Sequence, residues 1–150
     1  MTRITFDTSV IIAYKVTEAP KNFVLSAAVI SELIAGAGDD SERKTHEAFR
    51  RAHEQNGTLI VPTAEDWLFA SRILFWLSQK RKKQAGGQTP PLKIGASQRM
   101  MLDALIAVSA RREDVVVVTN DWDDYKAIQY YCKVKLKRGD DYFGHGESAQ

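Results

Sequence analysis

The chain has 150 residues, 44% of them hydrophobic and 27% charged, with a formal net charge of +2. That length suits one domain that buries roughly 70% of its unfolded surface, and the composition excludes a disordered chain. So small a net charge excludes a blanket electrostatic attraction to nucleic acid, so any such surface must be local.

Residues 4–6 are a short apolar segment ended by Asp7, and 10–14 read as a helix start. A second short strand is expected at 23–25. A helix follows over 28–37, with Val29, Ile30, Leu33, Ile34 and Ala37 on its apolar side and Gly36 and Gly38 loosening its end. Residues 41–53 are charged and helical. The apolar segment 58–61, closed by Pro62, is a short strand or an extended loop. Thr63 is placed to cap the next helix, with Asp66 in the capping-box position.

That helix runs to about residue 83. Trp67, Leu68, Phe69, Ile73, Leu74, Phe75, Trp76 and Leu77 cover too much of its circumference for one buried stripe. Such a helix is usually buried on two sides, one against the sheet and the other against a second subunit. The glycines and prolines of 85–97 predict a loop, after which Ser97 caps a helix over 98–112. Four consecutive valines at 115–118 suit a central strand covered on both faces. Residues 132–136 are expected as the last strand, and the chain from Gly139 onward as polar and frayed. Strands alternating with helices predict an α/β fold around a central, mainly parallel sheet, as a single domain over 1–150.

In such a sheet Asp7 and Asp121 both follow strands and fall at its carboxyl edge. Glu32 lies early in the helix after the second strand. Asp103 lies in a helix that runs antiparallel to the strands. Four carboxylates therefore converge on the rim where open α/β sheets bind ligands. Each has a structural alternative: Asp7 as a helix cap, Glu32 as a solvated helix residue, Asp103 as a paired core carboxylate, and Asp121, Asp123 or Asp124 as turn formers. Clustered carboxylates repel and raise each other's pKa unless a cation compensates. Oxygen donors without histidine or cysteine favour Mg²⁺ or Mn²⁺, ions that activate water and stabilise charge on phosphoryl oxygens.

The segment Phe6-Asp7-Thr8-Ser9-Val10-Ile11-Ile12 resembles the first motif of PIN-domain nucleases, especially the VapC-type toxins of toxin–antitoxin modules. Ser26-Ala27-Ala28-Val29-Ile30-Ser31-Glu32-Leu33 resembles the second, Leu102-Asp103-Ala104-Leu105-Ile106-Ala107 the third, and Val118-Thr119-Asn120-Asp121-Trp122-Asp123-Asp124-Tyr125 the fourth. The resemblance implies a PIN-like three-layer α/β/α fold, an RNA substrate, a homodimer, and a small cognate antitoxin that obstructs the acidic pocket. It implies Asp7, Glu32, Asp103 and Asp121 as the catalytic quartet, a Mg²⁺ or Mn²⁺ site on Asp7, Asp103, Asp121 and Asp124, and support from Ser9 and Thr119. Departures are a long, basic segment at 79–97 and Val29 where a hydroxyl cap is frequent.

The expected reaction is in-line hydrolysis of an RNA phosphodiester by a metal-activated water, leaving a 5′-phosphate and a 3′-hydroxyl. The run Lys80-Arg81-Lys82-Lys83 is either a solvated helix end or a phosphate contact. Trp122 either stacks on a base or packs at the sheet edge. A haloacid-dehalogenase-type phosphatase needs a second Asp two residues after the first, where this chain has Ser9. The non-enzyme alternative is an inactive PIN scaffold that binds RNA or protein. The lone Cys132, the absence of a signal-like N-terminus and the lack of a membrane-length apolar run make a cytoplasmic location the expectation.

Overall fold

A computed structural model describes residues 1–16, 18–84, 86 and 94–144 of the chain. In chain order the elements are β1 (Ile4–Phe6), α1 (Thr8–Ala13), β2 (Leu25–Ser26), α2 (Ala27–Ala35), α3 (Asp40–Gln55), β3 (Leu59–Ile60), α4 (Ala64–Gln84), α5 (Ile94–Arg112), β4 (Val116–Thr119), α6 (Trp122–Cys132), β5 (Leu136–Arg138) and α7 (Gly139–Phe143).

All the strand pairings are parallel: β1 with β4, β4 with β5, and β2 with β3. A bridge between Ile4 and Phe23 joins the two groups. There the Ile4 N–H donates to Asn22 O at 3.0 Å and the Val24 N–H donates to Ile4 O at 2.9 Å. The strands therefore lie in the order β3-β2-β1-β4-β5. The chain builds outward from β1 in one direction, then crosses back to add β4 and β5 on the other side. The carboxyl ends of β1 and β4 flank this reversal, the position at which open parallel sheets bind ligands.

Side-chain alternation splits the core between the two faces of the sheet. Val24, Ile60 and Val117 pack with Ala70, Ile73 and Leu77 of α4, with the buried residues of α5, and with Tyr125 and Ile128 of α6. Ile4, Phe6, Phe23, Leu25 and Val118 pack on the other face, with Val10 of α1, Ile30 of α2, Phe49 of α3, and Tyr142 and Phe143 of α7. The valine strand serves both faces, as expected of its sequence, and the result is a three-layer α/β/α sandwich. Among the described residues no helix is long and apolar enough to cross a membrane.

Thr63 and Asp66 form the expected reciprocal cap: the Thr63 N–H donates to Asp66 Oδ2 at 2.9 Å, and the Asp66 N–H donates to Thr63 Oγ1 at 3.1 Å. Asp66 is buried and also accepts from Arg112 Nε at 3.0 Å, so the start of α4 is fastened to the end of α5.

Four expectations change. The helix expected from residue 98 begins at Ile94, so Ser97 lies inside α5 and does not cap it; the rest of the expected loop, residues 85 and 87–93 apart from Gly86, lies outside the described residues. Gly95 costs about 1 kcal/mol relative to alanine, and the good helix formers that follow outweigh it. The stretch 122–132 is a helix, not a post-strand loop, because Tyr125, Ile128 and Cys132 fall on one buried stripe. Cys132 accordingly ends α6, Lys133 takes a left-handed conformation (φ 61°), and the last strand starts only at Leu136. Beyond it, residues 139–143 are helical: the Tyr142 and Phe143 rings lie 5.5 and 5.6 Å from that of Phe6. The remainder of the expected frayed tail, residues 145–150, lies outside the described residues.

Asp66→Ala removes the reciprocal cap and the bond from Arg112, whose guanidinium keeps its contacts to Glu113 and the Val61 carbonyl. It is expected to cost about 1–2 kcal/mol in urea unfolding, whereas Asp40→Ala, which removes surface ion pairs to Arg43 and Lys44, costs less than about 1 kcal/mol. Equal losses would contradict the fastening role of Asp66.

Candidate active site

Asp7 stands where β1 stops. Its N–H still donates to Val118 O at 3.2 Å, while its side chain turns to cap α1. Oδ1 accepts from Ser9 Oγ at 2.7 Å and from the Val10 N–H at 3.1 Å, and Oδ2 accepts from Thr119 Oγ1 at 2.6 Å. Asp7 thus caps α1 while standing at the carboxyl edge of the sheet. A carboxylate has about four acceptor positions, so these three bonds leave one on Oδ2. Burial raises the Asp7 pKa; the bonds from Thr119, Ser9 and Val10 pull against that rise, and the Asp121 charge adds to it.

The two hydroxyls also bind the loop after β4. Thr119 Oγ1 accepts the Asp121 N–H at 2.9 Å, and Ser9 Oγ accepts the Asn120 N–H at 3.4 Å. Each hydroxyl therefore donates to Asp7 and receives from the loop after β4, which holds the two carboxyl-edge loops in register.

Glu32 is half-buried on α2, with Oε1 accepting from Thr8 Oγ1 at 3.2 Å. Burial raises its pKa, and the Asp7 and Asp121 charges add to this against the Thr8 bond and the Arg99 charge. Asp103 sits midway along α5 and is 8% exposed. Its nearest donor is the Tyr125 hydroxyl at 3.5 Å, a long contact. Its carboxyl is pushed up to about 8, first by burial and then by the charges of Asp7, Asp121, Glu32 and Asp124. Tyr125, fully buried, is itself pushed well up by burial and then by the charges of Asp103, Asp7, Glu32 and Asp121.

Asp121 occupies the N-cap position of α6 without bonding its backbone, and is exposed. Asp124 lies in the first turn of α6, also exposed. The five acids Asp7, Glu32, Asp103, Asp121 and Asp124 therefore share one electrostatic neighbourhood centred on Asp103.

A groove of about 490 Å³ opens beside the acids, with Asp103 and Asp124 on one side and Lys80, Arg81 and Arg99 among its other lining residues. Of the expected basic run, Lys80 and Arg81 face this groove. Lys83 lines an adjoining groove, and exposed Lys82 is not among the lining residues of either. Trp122 is half-buried with the Arg138 guanidinium 4.5 Å from its ring centre, placing it beside β5.

Four residues escaped the sequence reading: Thr8, Arg99, Asn120 and Tyr125. Three of them adjoin an acid in sequence (Asp7, Asp121 and Asp124), and Arg99 precedes Asp103 by four residues, one helical turn. Those spacings were the available signal.

The donor set fits a hard divalent cation. It consists of carboxylates whose charges together raise the pKa of Asp103, with no histidine or cysteine among them. Among the described residues no three histidine, cysteine, aspartate or glutamate side chains are grouped so as to hold a metal ion by themselves; a Mg²⁺ ion here would take one or two carboxylates and fill its other positions with water.

The raised pKa of Asp103 has a sign. Because it lies above the unfolded value of 3.8, protonated Asp103 contributes stability at low pH that is lost as pH rises toward about 8. Without divalent ions, Asp103→Asn is expected to be more stable than the parent at pH 9, by roughly 2–4 kcal/mol in denaturant unfolding. The difference should shrink toward pH 5. A variant less stable at pH 9 would contradict the assigned burial of charge.

Three solved structures share the fold. DNA-bound VapBC from Salmonella typhimurium is 16% identical with a TM-score of 0.53, and the match covers 93% of this chain and 99% of that one. VapBC-1 from nontypeable Haemophilus influenzae is 19% identical with a TM-score of 0.51, covering 92% and 98%. FitAcB from Neisseria gonorrhoeae is 17% identical with a TM-score of 0.54, covering 91% and 97%. Identities this low establish likeness of fold. No curated protein matches the chain. The PIN domain matches residues 4–129, from β1 into α6 and across all five clustered acids, and the chain belongs to the PIN-domain family.

Proposed function

We propose that this chain is a Mg²⁺- or Mn²⁺-dependent endoribonuclease of the VapC toxin type, acting in the cytoplasm and restrained by a cognate antitoxin. The observation that carries the reading is Asp103: a carboxylate buried in an apolar helix, under the charge of four others, with Tyr125, at a long contact, as its one hydrogen-bond partner among the described residues. Such an arrangement is costly to folding and becomes intelligible as a cation site.

Asp7, through its remaining Oδ2 position, and one of Asp103, Asp121 and Asp124 would hold the ion directly, with the other two reaching it through its waters. When bound, the ion supplies Lewis-acid stabilisation of a phosphoryl oxygen and a more acidic water. Ser9 and Thr119 keep Asp7 oriented. Glu32 has a raised pKa and one oxygen, Oε2, not engaged by Thr8, which suits it to accept a proton from the attacking water. Lys80, Arg81 and Arg99 border the acids with positive charge, which offsets the repulsion a phosphate backbone meets at an acidic rim.

RNA as the substrate follows from the resemblance of the four acidic motifs to those of VapC toxins. The antitoxin is supported by the structural neighbours, which are complexes named VapBC and FitAcB. A homodimer is supported by α4, where Leu68 and Phe75, seven residues apart, are exposed on the side away from the core. The inactive-scaffold reading lacks its expected sign, the loss of an acid.

Asp7→Asn is expected to keep its circular dichroism spectrum and lose RNA cleavage by at least about a hundredfold. EDTA should abolish wild-type cleavage, and added Mg²⁺ or Mn²⁺ should restore it. Full activity in the variant, or in EDTA, would overturn the proposal.

A further inference from the structure

A second groove, about 540 Å³, lies where the end of α4 meets the end of α6, lined by Trp76, Gln79, Lys80, Lys83, Tyr130 and Tyr131. Lys80 lines both this groove and the one beside the acids, so the two adjoin. Neither Asp nor Glu is among the six lining residues.

The aromatic residues form a connected platform. The Trp76 and Tyr131 rings lie 5.2 Å apart at 30°, and Tyr130 meets Tyr131 edge-on at 5.0 Å. Tyr130 is 69% exposed. Ammonium groups lie over its ring, Lys80 Nζ at 5.6 Å and Lys133 Nζ at 5.9 Å from the centre. An exposed ring bordered by cations combines the two elements that hold single-stranded nucleic acid, a stacking surface and phosphate contacts. A duplex keeps its bases stacked internally and offers no face to such a ring.

A second copy of the chain suits this groove less well. Protein interface cores are depleted of lysine, and here three lysines surround the aromatic centre. The outward face of α4, with Leu68 and Phe75, is a separate surface from the Trp76 flank that meets α6.

We infer that the groove formed by Trp76, Lys80, Lys83, Tyr130 and Tyr131 is a track for single-stranded RNA running from the acidic cleft, with an unpaired base stacked on Tyr130 and phosphates held by Lys80 and Lys83. The destination of the track rests on the nuclease reading of the cleft; binding in the groove does not.

The test is equilibrium binding to the full-length protein in EDTA, read by fluorescence anisotropy of an end-labelled single-stranded RNA of about 12 nucleotides. Tyr130→Leu, at an exposed position, should weaken binding about tenfold. Lys80→Gln with Lys83→Gln should lower the slope of log affinity against log salt by about 1.4. The same strand annealed to its complement should not respond to Tyr130→Leu. An unchanged affinity in Tyr130→Leu, an equal loss on the duplex, or no wild-type binding overturns the track. Dissociation of a wild-type dimer by Tyr130→Leu with RNA affinity unchanged, seen by sedimentation, assigns the groove to a second copy instead. Tyr130-dependent binding without cleavage in Mg²⁺ would keep the track and end the nuclease reading; cleavage with Tyr130-independent binding would do the reverse.

Discussion

The carboxyl ends of β1 and β4 bring together groups that repel one another. Asp7 and Asp121 are delivered there by the strands, Glu32 by α2, and Asp103 by α5, and the charges of the other three, with that of Asp124, raise the pKa of Asp103. Hydrophobic packing on both faces of the sheet supplies the stability that makes this tolerable. The hydroxyls of Ser9 and Thr119 act locally, holding Asp7 by hydrogen bonds while tying its loop to the end of β4. Shifting either loop would break contacts to Asp7, so its orientation and the register of β1 on β4 are parts of one arrangement.

The site lies where the strand order reverses, and the reversal follows from the long excursion through α4 and α5 between β3 and β4. That excursion does two things. It carries Asp103 back over the sheet to meet Asp7, and it places Lys80, Arg81 and Arg99 on the border of the acidic cleft. Negative groups from α5 and α6 and positive groups from α4 and α5 thus meet at one groove. A net charge of only +2 conceals this separation.

Much of the site was legible because its acids interrupt apolar segments. Asp103 inside Met-Met-Leu-Asp-Ala-Leu-Ile, and Asp7 directly after Ile-Thr-Phe, stand out by the cost of burying charge. A parallel alternation of strands and helices then places them at one edge. What stayed hidden depends on packing between distant segments. Asp123 and Asp124 resemble turn residues, yet Tyr125, Ile128 and Cys132 bury a helical stripe that continues from them. Gly139, Asp140 and Asp141 likewise resemble a tail, until Tyr142 and Phe143 find Phe6. Arg99 reads as a surface charge and gains meaning only beside the acids. Both Asp121 and Asp124 act on Asp103, so the fourth motif contributes two acids to the neighbourhood.

If the acidic rim is a divalent cation site, cation binding must relieve its repulsion, and the relief must grow as the acids ionise. Thermal unfolding of the full chain in EDTA and in millimolar Mg²⁺ or Mn²⁺, between about pH 6 and pH 9, measures this directly. The predicted result is a midpoint raised by several degrees, with the increase largest above pH 8, where Asp103 is ionised, and much reduced in Asp103→Asn. A midpoint indifferent to the ion at every pH, or an equal increase in Asp103→Asn, would contradict it.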